Sequence, residues 1–225
     1  MAGKVTVLAF DTSSSTCSIA LQHGDNVRLC HELLPMQQAQ SILALIENLL
    51  LEEKIEINQL DVIAYGCGPG SSFTGIRIAT SVAQGLGLAL NKPLIPISSL
   101  TALAQTAYME YGWEKICVAI DARTDQIYFA YYQVHSGEVS LIDEEKAIAI
   151  REFCPLEGDW YAVGDGWIKY KKALELRFEM FPKSKLNIIN SSLYPSAHAI
   201  LKLMQKKFAK REWVQANAAF PCYLR

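Results

Sequence analysis

The hydrophobic and polar positions of the first fifty residues predict a small antiparallel sheet followed by a helix. Three short runs have the length and composition of strands, and Gly24 with Asp25 suits a tight turn between the last two. The predicted strands are 5–11, 17–23 and 26–33. From Met36 to Glu53 the apolar residues recur three and four positions apart, which predicts one buried face of a helix that starts after Pro35.

The same half of the chain continues with a strand, a glycine-rich loop and two more helices. Leu60–Tyr65 is a continuous apolar run that is typical of an interior strand, and it leads into the loop Gly66–Gly75. A helix is predicted from Thr74 to Leu90, then a short strand over 94–97. Ser98 has the chemistry to cap a third helix that extends to about residue 111.

The second half of the chain repeats this order of elements in a weaker form. Its predicted strands are 115–121, 126–134, 139–142 and 160–163, and its predicted helices are 167–176 and 196–207. In both halves an aspartate, Asp11 or Asp121, ends a buried strand just before a hairpin. The pattern therefore predicts an α/β protein with an N-terminal lobe over 1–111 and a C-terminal lobe over 112–225.

Composition and charge exclude several classes of protein. The 225 residues are 51% hydrophobic and 20% charged, so the chain can bury a core and is not intrinsically disordered. The formal net charge of −2 provides no overall positive field for nucleic acid, and no apolar stretch approaches the ~18 residues of a membrane span. The six cysteines form no C-x-x-C pair and the N-terminus does not read as a signal peptide, so we expect a cytoplasmic protein.

The end of the first predicted strand is a candidate phosphate site. Asp11, Thr12 and Ser13 would present a carboxylate and hydroxyls that can hold hydrated Mg²⁺ and a phosphate. The alternative is an ordinary turn in which these side chains bond to nearby amides. The second aspartate, Asp121, is followed by Ala122 and Arg123 where a phosphate turn would favour glycine.

The loop Gly66–Gly75 is a second candidate, because it delivers backbone N–H groups to the start of a helix, where anions are favoured. Its candidate phosphate contacts are Gly68, Gly70, Ser72 and Thr74. It is not a Walker A motif, since no Lys-Ser or Lys-Thr follows at the required spacing. The alternative is a tight crossover from strand to helix with Thr74 as the cap. The four histidines occur singly, which disfavours a metalloprotease or serine hydrolase and indicates no metal site.

Several of these segments together resemble the TsaB (YeaZ) family. They are Asp11-Thr12, Ala64-Tyr65-Gly66-Cys67-Gly68-Pro69-Gly70, Phe73-Thr74-Gly75-Ile76-Arg77, Ala83-Gln84-Gly85-Leu86 and Ala119-Ile120-Asp121-Ala122-Arg123. Gly164-Asp165-Gly166-Trp167 and Tyr223-Leu224-Arg225 extend the likeness over essentially the whole chain. The loop departs from the family in one respect, because Ser71-Ser72 adds one residue before Phe73.

The resemblance implies a two-lobed actin/Hsp70/sugar-kinase-like (ASKHA, RNase H-like) fold, with mixed sheets flanked by helices. It implies a role in the threonylcarbamoyl (t6A) modification of the adenosine beside the anticodon in ANN-decoding tRNAs. In that role the chain would be the non-catalytic partner of TsaD, with the ATPase TsaE as a further partner, tRNA contacted indirectly, and a homodimer formed when the chain is alone. No cofactor is assigned, although ATP or ADP at the interface with TsaD is compatible with the family.

The resemblance also implies that the first two helices form the partner interface. The predicted residues are Gln37, Gln38, Ser41 and Leu45 on the first helix and the small residues Gly75, Ala79, Ala83 and Gly87 on the second. A helix buried in the protein's own core would explain the small residues equally well. The first helix lacks the paired histidines of the TsaD metal site, so no catalytic residue is predicted. The alternative function is an ASKHA-type ATPase or small-molecule kinase.

Overall fold

The computed structural model describes residues 5–188 and 193–224, and its strands form two sheets. The strands are β1 (Thr6–Asp11), β2 (Thr16–His23), β3 (Asn26–Leu33), β4 (Val62–Gly68), β5 (Leu94–Ser98), β6 (Lys115–Arg123), β7 (Gln126–His135), β8 (Glu138–Leu141), β9 (Lys146–Ala149), β10 (Gly158–Val163) and β11 (Ser184–Ile188). The helices are α1 (Gln38–Glu52), α2 (Phe73–Leu90), α3 (Ser99–Tyr111), α4 (Asp165–Lys169), α5 (Lys171–Glu179) and α6 (Ala197–Ala209).

The two sheets are built on the same plan. In the first, with strand order β3-β2-β1-β4-β5, β1 pairs antiparallel with β2 and parallel with β4. In the second, with order β11-β10-β6-β7-β8, β6 pairs antiparallel with β7 and parallel with β10, while β9 pairs with β7 off this path. The meander and the turn at Gly24 are therefore confirmed, and so is the repetition of a strand and hairpin in the second half.

The helices lie in three layers around the sheets. Helices α1 and α2 pack on the outer face of the first sheet, and α4 and α5 pack on the outer face of the second. Helices α3 and α6 fill the space between the sheets and join residues from both into one apolar cluster. Because β1, β4 and β6 are covered on both faces, they appear in the sequence as continuous apolar runs rather than alternating ones.

The C-terminal segment returns to the first sheet. Helix α6 contacts β1, β2, β4 and β5, and Val214 forms a β-bridge with Leu94. Farther along, the Cys222 amide donates a hydrogen bond to the Cys67 carbonyl (2.7 Å). The division into lobes at residue 111 stays a prediction. Helix α6 and the segment after it belong to the second half of the sequence but pack on the first sheet.

Most predicted elements are confirmed, and the differences lie in the second half. The single helix predicted over 167–176 is two helices that meet at Tyr170. Strands β9 and β11 were not predicted, because Lys146–Ala149 is short and half-buried and Ser184–Ile188 carries polar residues at an edge of its sheet. No helix of the described residues is long and apolar enough to span a membrane.

Candidate functional site at the two strand ends

Asp11 ends β1 and is completely buried. Its Oδ1 accepts hydrogen bonds from the Ser13 amide and the Ser13 hydroxyl, both at 2.8 Å, and its Oδ2 accepts one from the Ser99 hydroxyl at 3.1 Å. Burial raises the pKa of the Asp11 carboxyl, and the hydrogen bonds from Ser13 and Ser99 oppose this rise. Both carboxylate oxygens are thus occupied by partners within the chain.

The glycine loop Gly66–Gly75, which runs from the end of β4 to the start of α2, lies directly on this strand end. A Cβ at Gly66 would overlap the Asp11 carboxylate, a Cβ at Gly70 would overlap the Ser13 carbonyl, and a Cβ at Gly75 would overlap the Thr12 carbonyl. These glycines are needed because no side chain fits between the two backbones. The glycine loop therefore covers this strand end closely.

The polar groups of the loop are also used within the chain. Thr12 donates its hydroxyl hydrogen to the Gly75 carbonyl (2.7 Å), and the Ser72 amide donates to the Ser13 carbonyl (2.9 Å). The Ser72 hydroxyl accepts from the Gly75 amide (3.0 Å), so Ser72 and not Thr74 caps α2. The prediction of Thr74 as the cap is wrong because the helix begins one residue earlier, at Phe73.

Two further candidate contacts are placed by the same loop. Gly68 has a φ of +92°, and a Cβ there would press on the Cys222 carbonyl and on Ile76. Thr74 is exposed in the first turn of α2. The structure thus brings Asp11, Thr12, Gly70 and Ser72 together as predicted, but as a closed internal network. Their role as phosphate contacts stays a prediction.

The cleft between the sheets holds a cavity of about 290 Å³ lined by Gly70, Asp121 and Arg123, and a much smaller one beside Ser13. The cavity lined by Ser13, Ser71, Ile120 and Asp165 has a volume of about 40 Å³. That volume holds about one to three water molecules and is far below the several hundred Å³ of a nucleotide site. The space beside Ser13 is therefore too small for Mg²⁺ with a nucleoside triphosphate. Among the described residues, no group of three His, Cys, Asp or Glu side chains is placed to hold a metal ion.

Asp121 occupies the matching position in the second sheet, near the end of β6, and its environment is different. Its carboxylate accepts from Lys169 Nζ (2.7 Å), the Tyr170 hydroxyl (3.0 Å) and the Arg123 amide (3.0 Å). Partial burial alone would raise the pKa of Asp121, but these hydrogen bonds and the Lys169 charge together lower it. This carboxylate is held charged at the surface.

Asp165 is a third acidic residue of the cleft. It lies in the first turn of α4, and its Oδ1 accepts a hydrogen bond from the Asp121 amide (2.8 Å). Burial raises the pKa of the Asp165 carboxyl, and the hydrogen bond from the Asp121 amide opposes the rise. From the sequence, Asp165 was recognised only as part of the Gly-Asp-Gly-Trp segment. Its contact with Asp121 was not predicted, because the two residues lie far apart along the chain.

Part of the predicted partner interface lies inside the chain's own core. Ala79 and Ala83 are completely buried against the first sheet, a Cβ at Gly87 would press on Leu94, and Gly75 lies against Thr12. The stripe of small residues therefore serves the chain's own core. Gln38 is also buried, because its side-chain amide donates a hydrogen bond to the Ser14 carbonyl (2.8 Å).

Other residues form the exposed face of α1 and α2. Gln37 is exposed, Ser41 and Leu45 are half-buried, and Leu43 is 57% exposed. On α2, Leu88 is 77% exposed, and no atom of the described residues lies within 4 Å of a Cβ built at Gly85. The hydrophobic pattern identified the buried side of each helix but not the apolar residues left at the surface.

Comparison with known proteins gives consistent results. Residues 33–219 match the family model of TsaD, the tRNA N6-adenosine threonylcarbamoyltransferase. The tRNA threonylcarbamoyladenosine biosynthesis protein TsaB of Escherichia coli is 33% identical, over 97% of this chain and 94% of that protein.

Solved structures agree with these sequence matches. YeaZ from Pseudomonas aeruginosa is 39% identical with a TM-score of 0.87, over 98% of this chain and 100% of that one. The ROK hexokinase of Thermus thermophilus, 10% identical over 89% of this chain and 100% of that one, has a TM-score of 0.50, in agreement with the predicted sugar-kinase-like fold. The chain belongs to the TsaB (YeaZ) family of tRNA threonylcarbamoyladenosine biosynthesis proteins.

Proposed function

We propose that this chain is a non-catalytic subunit in the synthesis of threonylcarbamoyladenosine in tRNA and that it acts by binding TsaD. The observation that carries the proposal is the closed strand end at Asp11, in a chain 33% identical to E. coli TsaB. Both carboxylate oxygens bond to serines of the same chain, and the loop that follows β4 covers them. A subunit of this kind would contribute a surface rather than a reacting group.

The alternative, an ATPase or small-molecule kinase of the same fold, needs a carboxylate that faces a cleft large enough for a nucleotide. Asp11 is 0% exposed and the cavity beside Ser13 is only about 40 Å³. The larger cavity, of about 290 Å³, is lined by Asp121, but that carboxylate is paired with Lys169. Opening this site would require the glycine loop to move away from β1 and to lose the hydrogen bonds of Thr12 and Ser72. These features favour the accessory role.

The outer face of α1 and of the C-terminal half of α2 is the surface that we assign to TsaD. It carries Leu43, Leu51 and Leu88, which are 57%, 68% and 77% exposed, although leucine is normally buried. Gly85 lies on this face of α2 with open space above it, so another helix can approach closely. Gln37 just before α1 and Ser41 and Leu45 on α1 stay part of the proposed surface, whereas the buried small residues of α2 do not.

The proposal includes three further points that follow from the family resemblance. TsaE is a further partner, the chain alone forms a homodimer through the same face, and the protein works in the cytoplasm, where tRNA is modified. Light scattering after size exclusion, on this chain alone and then with TsaD and TsaE from the same source, with and without ATP, measures these associations. A chain that stays monomeric at all concentrations would contradict the homodimer.

The proposed surface is tested with two substitutions at one residue. Gly85→Trp places a large side chain on the exposed face, and we expect it to abolish the heterodimer with TsaD. Gly85→Ala is the matched control, because it adds one methyl group and should stabilise α2 by ~1 kcal/mol while binding normally. Normal binding by Gly85→Trp would remove this face from the proposal.

The function itself is tested by measuring t6A in tRNA. Cells that lack their own TsaB should recover t6A when they express this chain, and Asp11→Asn should restore it equally well because no chemistry is assigned to that carboxylate. If the wild-type chain binds TsaD but Asp11→Asn, shown to be folded, restores no t6A, the non-catalytic assignment is wrong.

A further inference from the structure

We propose that a surface formed by Phe73, Arg77 and Tyr223, with Arg123 on the opposite side of a cavity, binds single-stranded RNA. We call these four residues the aromatic-arginine surface. This inference rests on the proposed function and deepens it, because it gives the chain a direct contact with RNA in addition to its contact with TsaD. The ligand chemistry is a phosphodiester held by guanidinium groups, beside a base stacked on an aromatic ring.

Arg77 is held in a fixed orientation by two rings. Its guanidinium carbon lies 3.6 Å from the centroid of the Phe73 ring and 5.7 Å from that of Tyr223. Its Nε donates a hydrogen bond to the Tyr223 hydroxyl (2.9 Å), and the two ring centroids are 5.5 Å apart. Holding the guanidinium in this way lowers the entropy cost of presenting its remaining N–H groups to an anion.

The two rings are more exposed than the packing of the chain requires. Phe73 is 48% exposed and Tyr223 is 43% exposed, although neither belongs to the clusters that form the core. Exposed aromatic faces beside arginine are the stacking platforms by which proteins hold unpaired bases without regard to sequence. The rings therefore supply a stacking contact for a base, whereas Arg77 without the rings would supply only a positive charge for a phosphate.

A cavity of about 290 Å³ separates these rings from the turn between β6 and β7 and is lined by Phe73, Tyr223 and Arg123. The turn presents Arg123 in an uncommon backbone conformation, since Arg123, Thr124 and Asp125 have φ values of +66°, +48° and +57°. A β-branched residue such as Thr124 is disfavoured there, and strained turns of this kind concentrate at binding sites. The cavity is close to the size of a small-molecule site.

The charged residues that line the cavity are Asp121 and Arg123, and Arg77 lies beside it against the Phe73 and Tyr223 rings. Asp121, the acidic residue that lines it, is paired with Lys169 at 2.7 Å. Within the described ranges, neither Arg77 nor Arg123 has a carboxylate within 4 Å. The net charge of −2 describes the whole chain, and two unpaired arginines are enough for a short contact with one or two phosphates.

The competing explanation is structural, because the same contacts hold the C-terminal segment on the first half of the chain. The Cys222 amide bonds to Cys67, and Gln84 donates its side-chain amide to the Ala219 carbonyl (2.6 Å). These bonds fix the segment without Arg77, and none of them requires Arg123. A variant at Arg123 therefore tests RNA binding without releasing the segment.

The test is fluorescence polarisation of a fluorescein-labelled ten-nucleotide oligouridylate, titrated with the full chain at several salt concentrations. We expect Arg77→Gln and Arg123→Gln each to weaken binding several-fold and to reduce the slope of log K against log salt by about 0.7. Phe73→Leu, which keeps an apolar side chain but removes the ring, should weaken binding roughly tenfold. Arg151→Gln is the matched control, since Arg151 is 86% exposed beside Glu152 on the second half of the chain.

Three results would overturn the inference: the wild-type chain does not bind the oligonucleotide, the arginine variants bind it like the wild type, or Arg151→Gln weakens binding as much as Arg123→Gln. Light scattering of the same variants with TsaD separates this inference from the proposed function. If the complex forms but the arginine variants bind RNA like the wild type, only the RNA site is wrong, whereas failure of the wild-type chain to bind TsaD defeats the proposed function.

Discussion

The two strand ends at Asp11 and Asp121 occupy equivalent places in the two sheets but have opposite environments. Asp11 is completely buried, and this burial raises the pKa of its carboxyl although Ser13 and Ser99 donate hydrogen bonds to it. Asp121 is partly exposed and paired with Lys169, so its pKa is lowered. One strand end is part of the core, and the other faces the surface cavity near Arg123.

This difference shows that position in the fold does not fix the chemistry of a residue. The first strand end is closed because three glycines let the loop after β4 lie against it. The second is open because Ala122 and Arg123 follow the aspartate and turn the chain outward into the hairpin. The same arrangement of strands therefore buries the aspartate in the first sheet and leaves it partly exposed in the second.

The largest expected effect comes from filling the closed strand end. Gly66→Ala places a methyl group where the Asp11 carboxylate lies, so the strand or the carboxylate must move. We expect a loss of about 4 kcal/mol in the free energy of unfolding, measured by urea denaturation. Gly85→Ala, with open space around the new methyl group, is the control that should not lose stability. Equal stability of the two variants would mean that the loop is not packed on Asp11.

Removal of each carboxylate should give an intermediate and unequal effect. Asp11→Ala leaves the Ser13 amide and the Ser13 and Ser99 hydroxyls without their buried acceptor, which should cost about 2 kcal/mol. Asp121→Ala removes a partly solvated ion pair and should cost less than about 1 kcal/mol. Urea denaturation at pH 7 measures both, and a larger loss for Asp121→Ala would reverse the comparison.

The smallest effect is a difference in pH dependence. Because the pKa of Asp11 is raised from its ordinary 3.8, its contribution to stability is complete below that pH and is lost as the pH rises through the folded pKa. Because the pKa of Asp121 is lowered from 3.8, its contribution is present above that value and is lost as the pH falls through the folded pKa. From pH 3 to 7, Asp11→Asn should therefore gain stability relative to the wild type and Asp121→Asn should lose it. Unfolding curves at each pH check this, and changes of the same sign would contradict it.

The sequence predicted the regular elements well, because strands buried on both faces and helices with one buried face leave clear periodic patterns. It also predicted Asp11 and Thr12 at the end of a strand and the glycine loop between a strand and a helix. It did not predict that they would satisfy one another, since the spacing that suits a phosphate also suits a hydroxyl or a carbonyl. The small residues of α2 were ambiguous for the same reason, because close packing on a partner and close packing on Leu94 require the same residue types.

Aromatic residues brought together from distant parts of the chain were not predictable at all. Phe73 and Arg77 lie one turn apart on α2, but Tyr223 reaches them from the end of the chain.

The hydrogen bonds of Glu145 also join residues that are distant along the chain. Ser98, Thr101 and Tyr132 all donate hydroxyl hydrogens to one of its oxygens and so tie the loop before β9 to the start of α3. Such contacts depend on tertiary structure and have no local periodicity.

The return of α6 to the first sheet has a consequence for the order in which the protein can fold during translation. The first sheet is synthesised through β5 roughly ten seconds before the ribosome reaches the end of α6. Until then, the face of β1, β2, β4 and β5 that α6 covers lacks part of its apolar cover. The nascent chain must therefore avoid aggregation while this face of the first sheet is partly uncovered. Helix α6, which is made after the other five helices named above, completes the apolar core against that face.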